Sequence, residues 1–368
     1  MIAIADRARA MMLRAISRTG ARSFVVDRTR RIGARAAIAI AFAFVLAATF
    51  PALALAIGPI VFGIPHVAAS LRYLVVRRSV SRILVSSVVV LSAVIVAARV
   101  GAGTGDGSTW ARVEIAAGAS LFAIAAIEAG RRSGRTTRTV LALVVLGAGL
   151  ALALQVPFVV RLAFVHVHNL GVVVLWMVLF RRGGALRRAV AAALVIALVL
   201  LASGATLPLA RALGGLDAGG VDCRDVAAWL APSLVSSIAI PLVLVHAFTD
   251  SVHYAFWLGV VPEEELSGQG TLTFRMTLRG LVRDFGRVGL GVAVVATVGI
   301  AALALQRAEV ARNAYFVVAG FHGYVEGAML VWLAVGGSPD RRPLAVDRER
   351  VAAAPALLPK SPDSGTAW

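Results

Sequence analysis

The chain has 368 residues, of which 59% are hydrophobic and 15% charged, and its formal net charge at pH 7 is +18. This composition excludes an ordinary soluble domain, because apolar stretches long enough to cross a hydrocarbon core of about 30 Å recur along almost the whole sequence. The positive charge does not indicate a nucleic-acid partner, because the arginines are concentrated on one side of the predicted spans. We therefore predict an all-α, polytopic integral membrane helix bundle.

Ten stretches are predicted to span the membrane. In chain order they are residues 36–54, 57–76, 83–100, 111–129, 139–155, 157–180, 189–210, 229–256, 288–306 and 313–335. Most of the 37 basic residues lie before the first stretch, after the even-numbered stretches and in the C-terminal tail. By the positive-inside rule that side is the cytoplasm, so both termini are predicted to be cytoplasmic and the chain to lie in the cell's inner (cytoplasmic) membrane.

The segments outside the bundle divide into three regions. Residues 1–35 are predicted to form a cytosolic, basic amphipathic segment, and residues 36–336 the transmembrane bundle. A second amphipathic helix is predicted at about 271–287, where arginines recur every four residues. Both basic segments are expected to bind anionic membrane lipids. The Pro, Asp and Ser content of residues 337–368 indicates a disordered cytosolic tail.

Several polar and aromatic residues are assigned structural positions. Cys223 is the single cysteine, which excludes an intrachain disulfide and any CxxC or zinc pattern. The acidic run at 263–265 is expected to be a solvated helix end. Four aromatic residues close to span ends are assigned to the interfacial belts, namely Trp176, Trp257, Trp332 and Tyr254.

All six histidines lie inside predicted spans. They are His66, His166, His168, His246, His253 and His322. Ionisable groups at that depth are costly and usually face a cavity or one another. With a rise of about 1.5 Å per residue, most of the six fall roughly 15–20 Å from the cytoplasmic surface. The sequence therefore predicts one layer of histidines within the membrane.

Two carboxylates share helix faces with these histidines. In LVHAFTDSVHYAFW, His246, Asp250 and His253 are spaced i, i+4 and i+7, so their side chains project from one face of a helix. Glu326 follows His322 by four residues and shares its face in the same way. Both carboxylates are therefore predicted to belong to the histidine layer.

The pair His166 and His168 presents a choice. On a helix their side chains are about 200° apart, so only one is expected to face the site. We favour His168, because the intramembrane Arg161, seven residues earlier, lies on its face.

Several neutral imidazoles with carboxylates beside them fit a borderline metal such as Fe, Zn or Cu. The predicted ligands are His66, His168, His246, His253 and His322. Asp250 and Glu326 are the predicted catalytic residues, either orienting the ligands or holding a second metal. A single histidine in a membrane is explained equally well by an interhelical hydrogen bond, and the glycines around His322 also fit a close helix contact.

The stretch GIPHVAAS, which contains His66, resembles the Gly-Leu-Pro-His-Gly-Ala-Leu-Asp element of the Brp/Blh group. Members of that group are membrane oxygenases that cleave β-carotene to retinal with a non-haem iron held by histidines from separate helices. HAFTDSVHYAFW and FHGYVEG occupy, in chain order, the places of that family's later histidine helices. The resemblance implies that His66 is an iron ligand and that His168 or His166 is the second one. Ser70 stands where the family has its aspartate.

These observations favour three functions. The leading hypothesis is a membrane metalloenzyme, a non-haem Fe(II) dioxygenase that uses O₂ on a lipid-soluble, carotenoid- or isoprenoid-like substrate. The alternative is a proton-coupled transporter or channel in which Asp250, Glu326 and the histidines relay protons. The third is haem-based electron transfer with His66 and His322 as axial ligands. No oligomeric state is predicted.

Overall fold

The computed structural model describes residues 2–19, 23–24, 27–78, 80–103, 105–180, 184–231, 234–265 and 273–337. The tail predicted to be disordered, residues 337–368, therefore lies outside the described residues except for residue 337. The helices are, in chain order, α1 (Ile2–Ser17), α2 (Arg28–Thr49), α3 (Pro51–Val76), α4 (Arg82–Ala102), α5 (Gly107–Ser133), α6 (Thr136–Gln155), α7 (Pro157–Leu179), α8 (Gly184–Ala202), α9 (Leu207–Ala212), α10 (Cys223–Leu230), α11 (Ser236–Glu263), α12 (Phe274–Gln306) and α13 (Ala308–Val335). Between α9 and α10, β1 (Asp217–Ala218) pairs antiparallel with β2 (Val221–Asp222).

Ten of the described helices, α2 to α8 and α11 to α13, are long and apolar enough to cross a membrane. The prediction of an all-α, polytopic membrane bundle is confirmed. Each helix overlaps one predicted stretch, and the differences lie at the ends.

Side-chain caps and prolines explain these ends. Asp27 accepts hydrogen bonds from the first turn of α2, so the helix begins eight residues before the predicted span. It ends at Thr49 because Pro51 opens the next helix and disfavours a helical residue before it. Ser81 and Asp106 cap α4 and α5 in the same way as Asp27 caps α2.

The amphipathic helix predicted at 271–287 is the first part of α12. It begins at Phe274 and continues through Gly286 into the membrane span, and Gly286 has a φ of 70° that marks a kink. Asp6 of α1 accepts a hydrogen bond from the backbone N–H of Phe274 at 2.7 Å. The two basic amphipathic segments therefore pack against each other.

One predicted surface residue is buried. Glu263, only 3% exposed, forms ion pairs with Arg31 at 3.0 Å and Arg35 at 2.6 Å. The prediction that the acidic run is a solvated helix end is wrong for Glu263, because the arginines at the start of α2 enclose its carboxylate.

The four aromatic residues assigned to the interfacial belts are also buried. Trp176, Trp257, Trp332 and Tyr254 are each between 1% and 4% exposed. Neighbouring helices cover the ends of their spans, so these rings pack inside the bundle.

The interior of the bundle is formed by α3, α5, α7, α11 and α13. Helix α13 packs against α3, α5 and α7, and α11 packs against α2 and α7. By contrast, α6 and the membrane part of α12 expose almost all of their apolar surface. The inner faces of α3, α7, α11 and α13 carry the intramembrane histidines.

Candidate metal centre

Three histidines from three helices converge in the interior. His66 of α3, His253 of α11 and His322 of α13 are buried, and one ligand atom from each lies within 4.8 Å of the others. The Nε2 atoms of His66 and His322 are 3.1 Å apart. His168 of α7 lies against the same group, with ring centroids 5.4 Å from His253 and 5.6 Å from His322. We call these four residues the histidine cluster.

The four rings share one hydrogen-bonding pattern: each Nδ1 faces a backbone carbonyl oxygen. The acceptors are Phe62 for His66 at 3.1 Å, Phe164 for His168 at 3.0 Å, Asn169 for His253 at 3.3 Å, and Ala319 for His322. A carbonyl oxygen only accepts, so Nδ1 carries the proton in each ring. Each neutral ring therefore keeps an unprotonated Nε2 with a free lone pair.

These lone pairs need a positive partner. At 3.1 Å the Nε2 atoms of His66 and His322 face each other with no proton between two neutral rings, which is repulsive. The Nε2 of His253 has no hydrogen-bond partner among the described residues. Metal-bound histidines usually donate their second N–H to a carbonyl or carboxylate, which is the pattern seen here. The donor set therefore fits a metal ion held by neutral imidazoles.

Irregular helical turns flank two of the cluster residues. The turn Gly58–Phe62 precedes His66 and the turn Phe256–Val260 follows His253, and both are π-helical. Such wide turns are rare and often occur at functional sites. The Phe62 carbonyl that accepts from His66 belongs to the first of them.

A glycine allows α7 to approach α13 at the cluster. A Cβ atom on Gly323 would lie 3.1 Å from Cδ2 of His168 and 3.1 Å from Cε1 of Phe164. The small residue thus lets the His168 ring reach His322, next to Gly323 in the chain. The predicted close helix contact and the predicted site coincide here.

The two predicted catalytic carboxylates occupy different positions. Glu326 is 3% exposed, and its Oε1 lies 3.5 Å from Nε2 of His253, with the side chains of Ser70 and Trp257 beside it. Asp250 is also buried but lies outside the group of converging ligand atoms, on the wall of an adjacent cavity. Glu326 therefore lies beside the nitrogen of His253 that faces the other ligands, and Asp250 is placed to contact a bound molecule.

The remaining two histidines form a separate pair. The rings of His166 and His246 contact each other at 5.6 Å, and His246 is not among the three converging ligands. That His246 is a ligand of the same centre stays a prediction. Of His166 and His168 on α7, it is His168 that contacts the other cluster residues, as predicted. The side chain of Arg161, on which that choice was based, lies outside the described residues.

A cavity of about 190 Å³ borders the cluster. His66, His168 and His322 form one side of it, and His246 and Asp250 lie on another. Six aromatic residues line the rest of it, together with small and aliphatic residues and the Arg99–Glu114 ion pair: Phe164, Trp229, Tyr254, Tyr315, Phe316 and Tyr324. This volume is smaller than the roughly 300–1,000 Å³ of a pocket for a drug-sized ligand, so it holds a small molecule or one part of a long one.

Three residues of the site were not predicted from the sequence. Asn169 is fully buried, and its carbonyl accepts from His253. The rings of Tyr254 and Tyr315 lie 4.5 Å and 6.4 Å from that of His66. The available signal was a polar residue directly after His168 inside an apolar span, and tyrosines on two of the four histidine-bearing helices.

Comparison with known proteins adds no assignment to this geometry. The chain matches no protein-family model, no curated protein and no solved structure, so the resemblance to the Brp/Blh group stays a prediction.

Proposed function

We propose that the protein is an integral-membrane metalloenzyme, a non-haem iron oxygenase that acts on a lipid-soluble substrate. One observation carries the proposal: two buried Nε2 atoms lie 3.1 Å apart in rings whose Nδ1 protons are already donated to carbonyls. A metal ion is the partner that satisfies both atoms. Iron is chosen over zinc or copper on the resemblance to the Brp/Blh group.

The residues of the cluster have separate roles. His66, His253 and His322 would hold the metal, and His168 is placed to be a fourth ligand. The backbone carbonyls opposite Nδ1 fix each ring and keep Nε2 free to bind. When bound, Fe(II) supplies the capacity to activate O₂ toward a substrate carbon. Glu326, whose Oε1 lies 3.5 Å from Nε2 of His253, would place a carboxylate next to the metal.

The surroundings of the cluster suit a substrate that arrives from the bilayer. The cavity lies among helices of the bundle, and six aromatic rings and several aliphatic side chains line it. The described residues form no sizeable domain outside the spans that would supply an aqueous binding site. The small volume points to a substrate of which only one segment enters the cavity.

The test is the metal content of the full chain purified in mild detergent, measured by elemental analysis beside a visible spectrum. We expect about one iron per chain without the Soret band of haem, and oxygen uptake when polyene lipids are added. His66→Leu should lose the metal, whereas His166→Leu, which changes a histidine outside the cluster, should keep it. A wild-type protein that holds no metal after loading with Fe(II), Zn²⁺ or Co²⁺ would contradict the proposal.

A proton relay is the second candidate, because 3.1 Å is also a normal distance for a hydrogen bond between an imidazolium and an imidazole. Buried Glu326 and Asp250 would be further stations in such a relay. A relay needs no metal. Proton uptake by proteoliposomes, measured with a trapped pH dye and in the presence of a chelator, separates the two functions.

Haem binding is disfavoured by the geometry of the cluster. The rings of His168 and His253 both contact that of His322, and the ring of His253 also contacts that of His66. These rings occupy the space in which a macrocycle between His66 and His322 would lie. The visible spectrum of the purified protein tests this directly.

A further inference from the structure

A second set of polar side chains faces the same cavity and is not part of the histidine cluster. It consists of His246, Asp250 and Tyr254, which lie one turn apart on α11, and we call it the polar wall. His246 is 2% exposed, and neither of its ring nitrogens has a hydrogen-bond partner among the described residues. The hydroxyl of Tyr254 makes no well-formed hydrogen bond there, although the side chains of Asp250 and Tyr315 lie beside it.

Three other polar residues around the cavity, Arg99, Glu114 and Tyr324, already bond to one another. Arg99 donates to Glu114 at 2.7 Å and to the Phe316 carbonyl at 2.8 Å. Tyr324 donates to the same carboxylate at 3.2 Å. The cluster histidines donate to carbonyls, as described above. Outside the histidine cluster, the polar wall therefore provides unmet hydrogen-bonding capacity in this cavity.

The polar wall extends from the cluster along the helix axis. The Tyr254 ring lies 4.5 Å from that of His66, while His246 is eight residues earlier on α11. At about 1.5 Å per residue the wall extends roughly 12 Å from the cluster. A molecule bound at the Tyr254 end of the wall therefore has its neighbouring carbon atoms beside the metal ligands.

The chemistry of the wall distinguishes between oxygen-containing groups. His246 offers one donor and one acceptor, Tyr254 a donor, and Asp250 acceptors. A hydroxyl both donates and accepts, so it can pair with any one of the three residues and with its neighbour one turn away. A carbonyl oxygen only accepts, and a hydrocarbon does neither, so buried groups would stay unpaired. A carboxylate would face Asp250.

We propose that the polar wall binds the hydroxyl group of an apolar molecule, so that the substrate is a lipid-soluble alcohol. The apolar remainder lies along Leu162, Phe164 and Phe316. The assignment of this alcohol as substrate rests on the proposed function, whereas its binding does not.

The test compares three ligands with the same carbon chain: geranylgeraniol, its aldehyde and the hydrocarbon that lacks the oxygen. Each is titrated into the full chain in lipid nanodiscs, and binding is followed by quenching of tryptophan fluorescence, since Trp229 lines the cavity. We expect affinity to fall from alcohol to aldehyde to hydrocarbon, with at least about a tenfold ratio between the first and the last. Equal binding of the three by the wild type, as expected if ordered water fills the wall, overturns the inference.

Two variants assign the preference to the polar wall. His246→Leu should bring the affinities of alcohol and hydrocarbon to within about twofold of each other. It should not lower thermal stability, because replacing an unpaired polar group by an apolar one of similar size is neutral or stabilising. Leu162→Ala, on the apolar side, should weaken all three ligands alike. An unchanged preference in a folded His246→Leu protein would overturn the assignment.

Metal content of the same samples keeps this inference apart from the proposed function. We expect His246→Leu to retain the metal of the wild type. If His246→Leu loses the metal, His246 is a ligand and the polar wall is wrongly assigned. A metal-free wild type that still prefers the alcohol would refute the oxygenase and support the binding site.

Discussion

Replacing His322 by leucine tests whether the cluster is a metal site or a set of structural histidines. In an ordinary core, removing a hydrogen-bonded histidine lowers the free energy of unfolding. In a metal site without its ion, the same change removes one of two opposed Nε2 atoms. The size of the stability change in the metal-free protein therefore distinguishes the two.

The magnitude follows from the contacts of His322. A buried acceptor without a partner costs about 1–3 kcal/mol, so removing the Nε2 that lies 3.1 Å from that of His66 regains roughly this amount. The lost bond from Nδ1 to the Ala319 carbonyl costs about 0.5–1.5 kcal/mol. The net effect on the metal-free protein lies between about −0.5 and +2.5 kcal/mol, with stabilisation positive.

Bound metal should stabilise the wild type more than His322→Leu. An ion at about 1,000 times its dissociation constant stabilises the native state by about 4 kcal/mol. The wild type should gain this amount on loading, and His322→Leu should gain little of it. His166→Leu, a substitution outside the cluster, should respond to metal as the wild type does.

The assay is unfolding in mixed micelles at increasing fractions of sodium dodecyl sulfate, followed by near-ultraviolet circular dichroism with metal or with chelator. The reasoning is refuted if chelator leaves the wild type unchanged while metal-free His322→Leu loses more than about 2 kcal/mol. That result would assign the histidine a structural hydrogen-bonding role.

Four further predictions concern individual residues. Glu326→Gln should weaken metal affinity about 10- to 100-fold in equilibrium dialysis, because it removes the charge beside a ligand ring. Gly323→Ala should lower metal affinity without unfolding the protein, since the added methyl crowds a cluster ring at 3.1 Å; unchanged affinity would contradict the close packing. Glu263→Ala should lower the free energy of unfolding by about 3–5 kcal/mol in the same assay, because it leaves the buried Arg31 without this carboxylate. A loss below about 1 kcal/mol would argue against a buried ion pair. Burial raises the pKa of the Cys223 thiol to about 12, so the thiol stays protonated at neutral pH. A maleimide should therefore label Cys223 only after denaturation, and rapid labelling of the native protein near pH 7 would exclude a buried thiol.

The spans and the common depth of the histidines were predictable because both depend on properties of a single helix. Hydropathy over some twenty residues identifies a span, and a fixed rise per residue gives the depth of His66, His168 and His322. Neither property requires knowledge of which helices are neighbours.

The grouping of the histidines depends on contacts between helices. His246 and His253 share a face, but seven residues separate them by about 10 Å along the axis, and the structure places one at the far end of the cavity and the other in the cluster. The carbonyl of Asn169 that fixes His253 comes from a different helix. Burial of Glu263 likewise depends on arginines more than two hundred residues away. No local pattern contains these pairings.

The central claim is that imidazoles from separate helices hold one metal ion through their Nε2 atoms. X-ray absorption at the metal edge of the loaded, full-length protein tests it most directly, since it counts the ligands and identifies imidazole rings. The account predicts three or four imidazole nitrogens at about 2.0–2.2 Å, and one fewer in His253→Leu. A first shell of oxygen atoms only, or a spectrum unchanged in His253→Leu, would contradict it.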